Sequence, residues 1–394
     1  MNLEINVNRS QPWHEFGEVS SNGIDASLEF LKAHFREIGE YHRLFDVLKM
    51  ETRKSLGVPL LHGDENPPLD AVTQTKLEEG LLAACREVAE LHFAEGNLND
   101  GWVYLQPIGD EALAKRLIEN VAVTEDNFGS VIEIAFNNGI SPLYGYEVML
   151  KQTGTCNGIT AFDVHAMQFD RATVSGLASV MLNHFYGELL ANVIDHVRKV
   201  KSSVDESASL GELLQRHDWL VVEGGHHIDA THLASVVRIA RQTTAEPDHQ
   251  RALSIADYGR RLGEDFQFAS DPPFENLYED HRVWFQALTG SDVDSAITHF
   301  TEKADAAKGQ YHEAAAAEAL IDLQIRIGDR DAAVDSAIQR LWGLMEPDSL
   351  PASAFEIAKT ASQFQKIANA FQEHGNFAGF AFASIRRSET GSSS

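Results

Sequence analysis

Between Val221 and Gln242 the chain reads VVEGGHHIDATHLASVVRIARQ, which places Glu223, His226, His227, Asp229 and His232 within ten positions. Imidazole nitrogens with a carboxylate oxygen form a common ligand set for a divalent transition metal such as Zn, Fe or Mn, with positions left open for water or substrate. Asp229 and His232 are three apart at the start of an apolar-periodic helix and share a face, and His227 can fold back from the glycine loop. A metal held there would lower the pKa of water or polarise a carbonyl or phosphoryl oxygen, with Glu223 or His226 accepting the proton. That is the chemistry of a metal-dependent hydrolase or isomerase acting on a small molecule. The same residues admit a plainer role. Asp229 can simply cap backbone N–H groups, and the histidines can be hydrogen-bonded or solvated neighbours.

A second segment supplies further donors. ATVSGLASVMLNHFYGELLANVIDHV, between Arg171 and Arg198, contains no Lys or Arg and reads as one long helix. At about 100° per residue, Glu188, Asn192 and Asp195 all fall within about 80° of His184. Most of the remaining circumference is apolar, so this stripe is expected to face inward, where burying His184, Glu188 and Asp195 together would be costly unless they were paired or bound a cation. His184 and Glu188 therefore join His227, Asp229 and His232 as the expected metal ligands, by analogy with the inward carboxylates and imidazoles of helix bundles. Alternatively, the stripe is the thin exposed edge of a packed helix, with His184 and Glu188 bonding each other.

The elements that must position these residues are helical throughout. Apolar residues recur at helical spacing from Ile24 to Leu56, from Lys76 to Leu105, and again over Glu111–Asn120, Glu125–Asn138, Pro142–Gln152 and Cys156–Phe169. Asp70 is placed to cap the helix that follows the Gly- and Pro-rich stretch Gly57–Pro68. Trp219–Val222 has the apolar character of a short strand, but one strand makes no sheet. Residues 1–22 read as polar and irregular.

The stretch KLEEGLLAACREVAELHFAEGNLNDGWVYL joins two helices through Gly96-Asn97, with the small Gly101 where they could approach closely. Similar patterns recur at Gly290 with Ala296 and Phe300, at Gly328-Asp329 with Ala333 and Ala337, and at Gly375-Asn376 with Phe380. Over about residues 75–120 and 275–386 the chain resembles tetratricopeptide-like helical-hairpin repeat proteins. The glycine intervals of 38 and 47 residues depart from that family's 34-residue period, and its full Trp/Leu-Gly/Tyr signature is missing. The resemblance implies an all-α protein of antiparallel helical hairpins, stacked as an α-solenoid or compact helical-repeat array. It also implies a second function: a non-catalytic scaffold binding a protein or peptide.

Composition narrows the partners. With 32 Lys and Arg against 59 Asp and Glu, a formal net charge of -27, most of the exterior would repel nucleic acid or an anionic membrane. Cys85 and Cys156 have no metal or redox spacing, and the N-terminal stretch lacks the pattern of a signal peptide, so a cytoplasmic protein is expected. The phosphate-binding GxxxxGK[ST], the dinucleotide GxGxxG, HExxH and GxSxG do not occur. Breaks in the pattern suggest an N-terminal helical segment and linker (1–68), a helical domain with the candidate site (69–270), hairpin repeats (271–387) and a disordered tail (388–394).

Overall fold

The computed structural model describes residues 11–61, 63, 68–201, 203, 205–221, 226–344 and 348–391. Among these residues every regular element is helical, and the one extended pairing is an isolated bridge between Ala269 and Asn276. No described helix is long and apolar enough to cross a membrane. The chain divides into two compact units, Met1–Met149 and Leu150–Ser394.

The first unit contains α1 (Gln11–Ser20), α2 (Ile24–Glu37), α3 (Tyr41–Ser55), α4 (Ala71–Ala94), α5 (Leu98–Leu105), α6 (Glu111–Glu119), α7 (Phe128–Ile132) and the beginning of α8 (Pro142–His165). The apolar periodicity over 24–56 resolves into α2 and α3, separated where Gly39 turns with φ 72. Asp70 does cap α4, accepting from Val72 N and Thr73 N. From residue 11 on, the polar opening stretch is not irregular as expected, because α1 is helical and its Phe16 ring reaches Phe30 on α2 at 5.8 Å; residues 1–10 lie outside the described residues. Successive helices bury Leu44, Val88, Ala89, Ile118 and Val131 between them.

The second unit carries the rest of α8, which Gly154 interrupts with φ 79 and ψ 177, and continues as α9 (Arg171–Lys201), α10 (Leu210–Arg216), α11 (Ala230–Ala240) and α12 (Glu246–Arg260). It ends with α13 (Leu277–Leu288), α14 (Val293–Ala306), α15 (Glu313–Arg326), α16 (Arg330–Leu341), α17 (Ala352–Ile357), α18 (Ala361–Glu373) and α19 (Phe377–Gly391). Consecutive helices pack on one another from α11 to α17, α16 also packs on α18 and α18 on α19, a sequential array of helical hairpins. Where a strand was conceivable at Trp219, the chain forms a 3₁₀ turn over Asp218–Val221. Residues 388–391 of the expected disordered tail are helical instead, since α19 runs to Gly391 and Thr390 Oγ1 donates to the Arg386 and Arg387 carbonyls, and 392–394 lie outside the described residues.

Two hairpins share one packing device. A Cβ at Gly101 on α5 would lie 2.6 Å from the Phe93 ring of α4, and one at Gly379 on α19 would lie 2.2 Å from the Phe371 ring of α18. Each glycine therefore receives an aromatic ring at a separation that no side chain permits. The close approach expected at Gly101 is realised.

Candidate functional site

Asp229 holds the start of α11. Its Oδ1 accepts from Thr231 N at 2.8 Å, His232 N at 3.0 Å and Thr231 Oγ1 at 2.5 Å. The Thr231 hydroxyl, then the His232 amide, keeps its carboxyl below the usual carboxylate range. An oxygen with three donors already in place is an N-cap at work, and three orphan N–H and O–H groups are satisfied by it. His232 follows in the first turn, partly buried. His226 is exposed, its ring packed on Phe266 at 5.1 Å. Glu223 lies outside the described residues.

His227 is the most constrained of the group. Its backbone N–H donates to Tyr258 Oη at 2.8 Å, and its Nδ1 lies 2.9 Å from the same oxygen. Both ring nitrogens are thus engaged, Nδ1 by the Tyr258 hydroxyl and Nε2 by His196 Nδ1 at 2.8 Å. Asn192 Nδ2 completes the set by donating to the His227 carbonyl at 2.9 Å. Burial, reinforced by the neighbouring His196 and His226, pushes the His227 pKa down to about 4, so the ring is neutral at pH 7. Burial also raises Tyr258 to about 12. Trp219 packs edge-on against His196 at 5.2 Å. His227 thereby ties the end of its loop to both α9 and α12.

The α9 stripe does not face a dry interior as expected. Glu188 and Asp195 keep 46% and 49% of their side chains exposed, against 24% for His184. The physical reason is local pairing at helical spacing: His184 Nε2 lies 3.4 Å from Glu188 Oε1, and Asp195 meets Lys199 at 2.5 Å. Thr155 Oγ1 also donates to Glu188 Oε2 at 2.9 Å. Among the described residues, no three His, Cys, Asp or Glu side chains are gathered as a metal ion would need. The structure brings His184 to Glu188 and His227 to His196, and leaves Asp229 on the backbone of α11.

His196 and Tyr258 escaped the sequence reading. From His184, His196 sits about 120° around the helix, outside the narrow stripe. Tyr258 is remote in sequence, and nothing in the pattern of α12 distinguishes it from an ordinary core aromatic.

A different site emerges farther along the second unit. The C-terminal ends of α8 and α11, the 270–274 loop, α13 and α15 enclose a cavity of about 450 Å³. The cis Pro272–Pro273 bend, read from the sequence as a boundary, forms part of its wall. Arg241 stands just past α11 with its guanidinium 4.3 Å from the Phe274 ring centroid. Phe274 itself packs on His281 at 4.5 Å and on Trp284 at 5.6 Å, a rigid aromatic floor. Arg326 is committed, donating to Asp322 Oδ2 and to the Thr243 carbonyl, each at 2.8 Å. Arg241 makes no hydrogen bond or ion pair among the described residues; burial lowers its pKa, partly offset by the negative charge of Asp322. His281 donates from Nδ1 to the Leu277 carbonyl at 2.7 Å, and burial pushes its pKa to about 3, so it adds no charge to the floor.

A further cavity, of about 650 Å³, lies in the first unit, but the charged groups on its wall are all acidic: Glu90, Glu95 and Asp126. Only the α11–α13–α15 cavity, of these two, presents both signs of charge over aromatic rings.

Comparison with protein-family models, with curated proteins and with solved structures found no match to this chain.

Proposed function

We propose that the chain is a helical-repeat scaffold that binds a protein or peptide segment, and that the second unit's α11–α13–α15 cavity seats it. One observation carries this: a cavity of about 450 Å³ with an aromatic floor and charged groups of both signs, walled by five separate elements of the hairpin array. Concave sites with a few polar groups set over apolar walls are where small ligands and peptide side chains bind. Stacked hairpins supply such surfaces without any catalytic group.

The test is a selection of binders from a random peptide library on the immobilised full chain, repeated with Ala315→Trp. Ala315 is exposed on α15 and lines the cavity, so the bulky ring obstructs it without touching the core. Selected peptides should lose at least tenfold in affinity for the variant. Peptides that bind both proteins equally, or a library that yields none, would count against the proposal.

A metal-dependent hydrolase or isomerase using His184, Glu188, His227, Asp229 and His232 is the second reading, favoured by one observation. His184 Nε2 is buried and has no hydrogen-bond partner among the described residues. An imidazole nitrogen left this way beside a carboxylate is a donor waiting for a cation or proton. Metal stoichiometry of protein purified without an affinity tag tests it. Coupled loss of metal in His184→Ala and His232→Ala would support it, and metal-free protein with unchanged melting after chelation would sink it.

A further inference from the structure

The charges around the α11–α13–α15 cavity are kept apart. Arg238 and Arg241 line it with positive charge and Asp163, Asp271 and Glu318 with negative charge, yet among the described residues no ion pair joins any of these five. The remaining two charged groups, Arg326 and Asp322, satisfy each other. Charges of opposite sign that share a cavity but do not meet leave a gap that a ligand carrying both signs can bridge. Arg241 sharpens this. Its guanidinium is partly buried and lies over the Phe274 ring, with no hydrogen bond or ion pair among the described residues, so its N–H groups are left for an acceptor outside the protein. A carboxylate matches a guanidinium in two parallel hydrogen bonds.

A single anion is a poorer fit, because three uncommitted carboxylates line the same space and would repel it. A cationic ligand alone would leave the buried guanidinium without a partner. A volume of about 450 Å³ exceeds what one free amino acid fills and suits two or three residues of a peptide.

Resting on the scaffold reading above, we propose that the cavity holds a short peptide segment bearing both charges, its carboxylate on Arg241 and a lysine or arginine side chain against Glu318. The carboxylate comes from a free C-terminus or from an acidic side chain, and the experiment separates these.

The probes are pools of random pentapeptides labelled with a fluorophore and titrated against the full chain by anisotropy. One pool has a free C-terminus and a fixed lysine. A second is amidated, a third carries norleucine in place of lysine, and a fourth is amidated but contains a fixed glutamate beside the lysine. The first pool should bind saturably, about tenfold more tightly than the second and severalfold more tightly than the third. Recovery in the fourth assigns the carboxylate to a side chain, and no recovery assigns it to the C-terminus; either fits. Arg241→Gln should erase the carboxylate dependence, and Glu318→Gln, an exposed change that leaves the core intact, should erase the lysine preference alone. Equal binding of all four pools overturns the proposal, as does charge discrimination that survives both variants. If library-selected peptides still sense Ala315→Trp while the four pools show no charge dependence, the scaffold stands and this ligand chemistry falls. If neither binds, both fall.

Discussion

All four polar atoms of His227 find a protein partner, in Tyr258, His196 and Asn192, whereas among the described residues the Arg241 guanidinium some way along the same unit meets the face of Phe274 and makes no hydrogen bond or ion pair. Both groups are substantially withdrawn from water, and both pay for it in desolvation. The first arrangement returns that cost as stability, since each polar atom is bonded inside the fold. The second leaves it unreturned, which a structure tolerates where binding supplies the missing partner. The difference teaches that density of chemically versatile residues is a poor guide to a site. His227 is bonded on every polar atom inside the fold, and Arg241 keeps hydrogen-bonding groups that meet no partner among the described residues.

The contrast can be broken by experiment, most strongly through pH. His227 has its folded pKa depressed to about 4 from 6.5, so the unfolded chain binds the extra proton between those values. Its contribution is fully present above pH 6.5 and is lost as pH falls toward 4, at most about 3 kcal/mol before solvent screening is discounted. His281, depressed to about 3, acts in the same direction, so the His227 share is the difference between wild type and His227→Gln in urea titrations at several pH values. A variant whose pH dependence matches wild type would remove His227 as a stabilising anchor.

Tyr258→Phe comes next. It deletes the hydroxyl that serves both the His227 amide and Nδ1, and should destabilise by about 2 kcal/mol at pH 7, read from the shift of the urea midpoint. Asp229→Ala removes the cap of α11 and should cost about 1 kcal/mol by the same measurement. The smallest effect is expected at the cavity: Arg241→Gln should change stability by less than about 0.5 kcal/mol, or raise it, because the lost contact with the Phe274 ring is offset by relief of the guanidinium's desolvation and no hydrogen bond or ion pair is broken. A loss of several kcal/mol there would show that Arg241 belongs with the structural group and would collapse the distinction.

Much of the fold was legible from periodicity alone. The helical assignment, the Asp70 and Asp229 caps, the break between Gln152 and Cys156 and the close approach at Gly101 are local consequences of side-chain type, and local rules find them. The stripe of α9 was misplaced for a nearby reason. The absence of Lys and Arg suggested burial, but Lys199, just beyond the run, neutralises Asp195 from the following turn. Neither His196 nor Tyr258 could be read as His227's partners, because contacts between α9, the loop and α12 depend on how remote segments pack. The cavity was invisible for the same reason. Its basic residues, Arg238, Arg241 and Arg326, are ordinary helix-end cations in the sequence, and the Pro272–Pro273 bend looked like a place for the chain to part rather than a wall.

The paired glycines carry one last consequence. Because Gly101 and Gly379 accept the Phe93 and Phe371 rings where even a methyl group would collide, the spacing of α4 from α5 and of α18 from α19 is a fixed dimension written as a missing atom. Outward-facing positions on those helices are free to vary without altering the gauge. One added carbon at either glycine would act as a wedge, spreading that pair and passing the misfit to whatever helix is stacked against it.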